Sequence, residues 1–147
     1  MPDDPELVGR LALACALGFA IGLERRLGRK AAGERTFALV ALGACLFTVA
    51  GLGVSDDASP SRIAAQVVTG VGFLGAGIIF HRGDGGVRGL TTAAGVWAAA
   101  AVGVAIGVGQ YLLGIVACAL ALLLLLLERI FPWLRDEPKP QAEDSPG

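Results

Sequence analysis

The sequence is poor in the residues from which common enzyme sites are built. It has one histidine, His81, in 147 residues. A hydrolase triad needs its histidine beside a paired nucleophile, and metal sites usually need several ligands together. Its three cysteines, Cys15, Cys45 and Cys118, lie far apart inside apolar stretches. No Cys-x-x-Cys pair occurs, so the thiols read as small packing residues rather than disulfide or metal ligands. Charged residues make up 17% of the chain and the net charge is −1, which gives no field favouring nucleic acid. No Gly-Lys-Ser/Thr pattern marks a phosphate cradle. No cofactor or catalytic group is expected. The start, MPDDPELVGR, is acidic, whereas a secretory signal begins with basic residues. The first apolar run is therefore expected to be retained.

What the chain has is apolar length. Apolar residues make up 54%, and the 22 glycines show no collagen-like period of three. A membrane helix takes about 20 apolar residues, with a range of about 17–25. Five stretches come close: about Leu7–Leu23, Phe37–Val54, Ile63–Phe80, Thr91–Val108 and Gln110–Leu127. The expected fold is an all-α membrane protein of five transmembrane helices. Residues 1–128 would form the membrane domain. Residues 129–147 would form a cytoplasmic tail, interfacial at Ile130, Phe131 and Trp133, then Pro-rich, acidic and disordered.

The basic residues are sorted by side. Arg25, Arg26, Arg29, Lys30 and Arg35 follow the first stretch, Arg82 and Arg88 follow the third, and Arg129, Arg135 and Lys139 follow the fifth. Only Arg10 and Arg62 fall on the other side. Positive charge stays cytoplasmic, so the N-terminus is expected outside and the C-terminus in the cytoplasm. That orientation needs an odd number of spans, and five is odd.

Small residues mark where membrane helices meet, because lipid leaves close packing as the main attraction. Ala14, Gly18 and Gly22 repeat every four residues in the first stretch, as do Gly95, Ala99, Gly103 and Gly107 in the fourth. In the third, Gly70 and Gly77 share a face with Gln66 and Phe73, and Gly72 pairs with Ala76. These ladders predict helix packing within the chain or across a homodimer. No Asp, Glu or Lys lies near the centre of a stretch, which speaks against a simple ion path.

Two loops carry the polar interest. In the first, Thr36 is placed to cap the second helix, and Arg35 to meet Glu24 or a lipid phosphate. In the second, HRGDGGVRGLTT, the glycines suit a tight hairpin tip. Thr91 or Thr92 is placed to cap the fourth helix, and Asp84 with His81 is too small a set for a metal.

The motifs GLERR, AAGERTFALVALGACLF, QVVTGVGFLGAGIIF and VRGLTTAAGVWAAAAVG, from Gly22 to Gly103, together resemble the MgtC/SapB family. The resemblance implies a bacterial inner-membrane protein linked to low-magnesium growth, acid stress and survival inside host cells. It also implies a regulator more than an established transporter, with one branch acting on the membrane ATP synthase. The family-like positions are Glu24, Arg25, Gly33, Arg35, Thr36, Gly43, Gly72, Gly75, Gly77, Arg88, Gly89, Leu90, Thr92 and Ala93. Three positions depart. Thr91 stands where the virulence-associated branch has Asn, Glu34 where common members have an apolar residue, and Arg26 where many have an acidic one. The closer likeness is to the SapB-like side, in a short form without the cytoplasmic domain that many members carry.

The expected function is therefore non-enzymatic: contacts with the bilayer and with a membrane or cytoplasmic protein, in magnesium, ion or stress homeostasis. Glu24, Arg25, Gly33, Arg35, Thr36, Arg88, Thr91 and Thr92 are its candidate residues. The alternative is a channel or transporter for Mg²⁺ or another cation.

Overall fold

The computed structural model describes residues 4–54, 59–81 and 87–130. The expectations for Arg82, Asp84, Phe131, Trp133, Arg135 and Lys139 lie outside the described residues. The chain runs α1 (Asp4–Leu27), α2 (Glu34–Val54), α3 (Pro60–Ile78), β1 (Phe80–His81), β2 (Val87–Arg88), α4 (Leu90–Gly107) and α5 (Tyr111–Ile130). In long apolar runs every backbone N–H and C=O must find a partner within its own segment, which selects helix.

The breaks follow local chemistry. Helix α1 carries Asp4 and Glu6 in its first turn and Arg25 and Arg26 in its last, each sign opposite to the helix dipole beside it. It ends where Arg29 turns left-handed at φ 52°. Pro60 opens α3 from its first turn, where the missing N–H costs nothing. Antiparallel β1 and β2 pair Phe80 with Arg88 and His81 with Val87, so the second loop is a hairpin as expected. Gly89, at φ 91°, then swings the chain into α4. A side chain there would strike the Ile78 carbonyl, so two constraints require glycine.

Four helices, α1 to α4, are long and apolar enough to cross a membrane. The expected fifth span is an apolar stretch of α5, Tyr111–Leu127, that is shorter than these four. Helix α4 is central, with 61% of its span buried, and packs against all four other helices. Helix α3 is peripheral, at 11%.

Glycine determines how closely the central helices approach. The ring of Phe37, fully buried in α2, lies against Gly95 of α4. A Cβ added at Gly18 or Gly22 of α1 would run into the α2 backbone. One at Gly103 would collide with the Ala41 carbonyl, and one at Gly107 with Thr48. The same contacts set directions: α1 runs antiparallel to α2, and α4 parallel to it. On α3 the outcome differs, since a Cβ at Gly70, Gly72 or Gly77 would meet nothing within 4 Å. Those three glycines make no close approach to the other described residues.

Candidate functional site

The α1–α2 turn, the β-hairpin and the C-terminal half of α5 gather at one end of the bundle. Here Arg25 is 1% exposed, the largest fully buried side chain among the described residues. Its Nε donates to Glu24 Oε2 at 2.5 Å, and its Nη2 to the Leu125 carbonyl of α5 at 3.4 Å. Adjacent residues on a helix diverge by about 100°, so only the reach of the guanidinium lets this pair close. Burying a charge is costly without a partner, and each member supplies the other's. The Leu125 contact also ties α5 to the end of α1.

A second pair lies beside it. Arg26 Nη1 donates to Glu34 Oε1 at 2.5 Å and links the two sides of the α1–α2 turn. Glu34 is the first residue of α2, where its carboxylate also faces the positive end of the helix dipole. Gly33 stands between them, its carbonyl accepting the Phe37 N–H and touching the space beside Gly22.

Three expectations about this end change. Glu24 meets Arg25 and not Arg35, which is exposed on the first turn of α2. Thr36 does not cap α2, because the helix already begins two residues earlier, at Glu34. Thr91 and Thr92 do not cap α4 either. Gly89 holds the cap position without a side-chain bond, and the helix starts at Leu90. Thr92 is buried, whereas Thr91 and Arg88 are exposed. The structure thus brings Glu24 and Arg25 together, sets Gly33 beside Gly22 and Arg26, and leaves Arg35, Thr36, Arg88 and Thr91 exposed.

The opposite end holds a network that the sequence reading missed. Arg10 of α1 donates to Glu6 Oε1 and to the Gly107 carbonyl, both at 2.7 Å, and to the Tyr111 hydroxyl at 3.0 Å. Tyr111 in turn donates to the same Glu6 oxygen at 2.7 Å. This joins α1 to the α4–α5 turn, where Gly109 sits at φ 86° under the guanidinium. The Glu6–Arg10 spacing of four was a readable signal for half of it. Nothing local announced Tyr111.

Inside the bundle, the hydroxyl of Thr48 donates to Ala44 and that of Thr69 to Ala65, each one turn back on its own helix. Among the described residues, no three His, Cys, Asp or Glu side chains gather where they could hold a metal.

The sequence matches the MgtC family over residues 11–132. It is 57% identical to the protein MgtC of Brucella abortus (strain 2308) over 67% of this chain and 41% of that one. It is 48% identical to a putative magnesium transporter, YhiD, of Escherichia coli K12, over 82% of this chain and 59% of the other. An uncharacterised Haemophilus influenzae protein is 38% identical over 82% of this chain and 55% of its own length. The chain thus spans about half the length of these relatives. No solved structure matches it. By a match that covers most of its length, and by the apolar helices that carry it, this chain belongs to the MgtC family, as a multi-pass protein of the bacterial inner membrane.

Proposed function

We propose that the chain spans the membrane five times, with its N-terminus outside and its C-terminus in the cytoplasm. It acts without catalysis, through protein contacts made at the Arg25 end, in magnesium or stress homeostasis. The relatives' names supply the magnesium link. The excess of Arg and Lys at the Arg25 end supports the orientation.

One observation carries the contact reading. Of the arginines at this end, Arg25 is consumed by the fold, while Arg88 is exposed with no ion pair among the described residues. A buried, satisfied charge holds structure, and an exposed one is available to a partner. The partner is a membrane or cytoplasmic protein, and a second copy of this chain is the simplest candidate. The test is Arg88→Ala in cells that need the protein for growth at low magnesium. Loss of growth with normal insertion and abundance is expected. Unimpaired growth would remove the hairpin from the contact surface.

The alternative, cation transport, has the printed name of the Escherichia coli relative in its favour. Against it, no Asp, Glu or Lys lies near the centre of an apolar stretch, where buried ionisable groups usually mark an ion path.

A further inference from the structure

Helices α2 and α3 touch where Ile63 meets Gly51 and then leave a groove of about 770 Å³ that reaches the first turn of α2. Leu39, Gly43 and Phe47 line one wall, and Val67, Gly70 and Leu74 the other. Gly43 and Gly70 have no neighbour within 4 Å of a would-be Cβ, so the missing side chains deepen the groove. It opens sideways, with Leu39 67% and Phe47 69% exposed. In a bilayer such a groove faces acyl chains.

Its end is cationic. Arg35 precedes Leu39 by one helical turn and so stands above it on the same face. It is exposed and has no ion pair among the described residues. The neighbouring Glu34 carboxylate is already paired with Arg26. Thr36, which lines this end, contributes a hydroxyl. We propose that the α2–α3 groove holds one acyl chain of an anionic phospholipid whose phosphate is bound by Arg35 and Thr36. Charge complementarity selects this occupant, because an apolar slot ending at an unpaired guanidinium matches an amphiphile with a negative head. The site separates two exposed arginines of this end: Arg35 serves lipid and Arg88 serves the protein contact. It rests on the membrane placement proposed above and not on the contact surface.

The test is native mass spectrometry of the full chain released from detergent. Phosphatidylglycerol or phosphatidylcholine of identical acyl chains is supplied in turn. About tenfold stronger retention of phosphatidylglycerol is expected, because both phosphates can reach Arg35 but phosphatidylcholine brings its own cation beside the guanidinium. Arg35→Gln should abolish the preference and Arg35→Lys retain most of it. Gly70→Leu should weaken both lipids by filling the groove, and Arg88→Ala should change neither. Equal retention of the two lipids, or an unchanged preference in Arg35→Gln, would overturn the proposal. So would displacement of the lipid by millimolar inorganic phosphate, which would mark an anion site independent of the groove. Dimers that vanish in Gly70→Leu, without lipid preference in the parent, would assign the groove to a second copy instead.

Discussion

Arg26 and Glu34 are bonded to each other across the α1–α2 turn, Nη1 to Oε1 at 2.5 Å. Both are also positions where the sequence is expected to depart from the family pattern. We propose that these two expected departures form one structural change. An acid beside the Glu34 carboxylate would repel it, whereas Arg26 pairs with it. Arg26 is 66% exposed, so solvent screening limits the pair to about 1 kcal/mol or less. Arg26→Glu is expected to lower the thermal midpoint in detergent by a few degrees, and Glu34→Leu on that background to restore it. A double-mutant cycle by thermal melting would show the coupling. Additive effects would mean that the pair is coincidental.

Arg25 demands a different outcome from its neighbour. Removing it leaves the Glu24 carboxylate buried without its cation, which costs about 3–5 kcal/mol. Arg25→Ala should sharply reduce the amount of folded protein in the membrane. Glu24→Ala with Arg25→Ala should recover part of it, since the Glu24 carboxylate no longer stands buried without its cation. Arg88→Ala, on an exposed strand, should leave abundance unchanged. Quantitative immunoblots of membrane fractions, with melting of whatever survives purification, would separate these cases.

The glycines fall into two groups with opposite expectations. At Gly103 a side chain would overlap the Ala41 carbonyl, and backbone cannot yield cheaply. Gly103→Val should prevent α2 and α4 from closing and so prevent folding. Gly72, on the open side of α3, has room for a methyl group. Gly72→Ala should be neutral or stabilising by about 0.5–1 kcal/mol through the helix propensity of alanine. Thermal melting of both variants in one detergent is the measurement. A destabilised Gly72→Ala would show that this face packs against something beyond the described residues.

Most of the architecture was legible before the structure because membrane burial imposes one strong rule on long apolar runs. The helices, the antiparallel β1–β2 pairing and the gathering of both loops at one end all follow from run length and charge side. What stayed hidden depends on rotation about each helix axis. Spacing put Gly22, Gly95 and Gly70 on equally plausible contact faces. Only packing shows that Phe37 lies against the first two while Gly70 faces open space. The caps failed for a local reason. Thr36, Thr91 and Thr92 are good capping residues, but α2 already begins at Glu34 and Gly89 takes the cap position of α4. The Arg25–Glu24 pair was hidden because neighbours on a helix ordinarily point apart.

The network at the other end offers a further check. Arg10 links Glu6, the Gly107 carbonyl and Tyr111. Arg10→Ala should loosen α1 from the α4–α5 turn and lower the thermal midpoint more than Tyr111→Phe, which keeps the Gly107 bond. Hydrogen exchange at Val108–Tyr111 should rise in the first variant and little in the second. Equal effects would place the weight on the hydroxyl.

The most direct measurement is Mg²⁺ uptake by proteoliposomes containing the purified chain, with empty vesicles and an Arg35→Ala variant as controls. Uptake no faster than in empty vesicles, from well-inserted protein, is the expected result and agrees with a protein that acts through contacts. Saturable uptake that disappears in Arg35→Ala would contradict it and make the bundle a path for the ion.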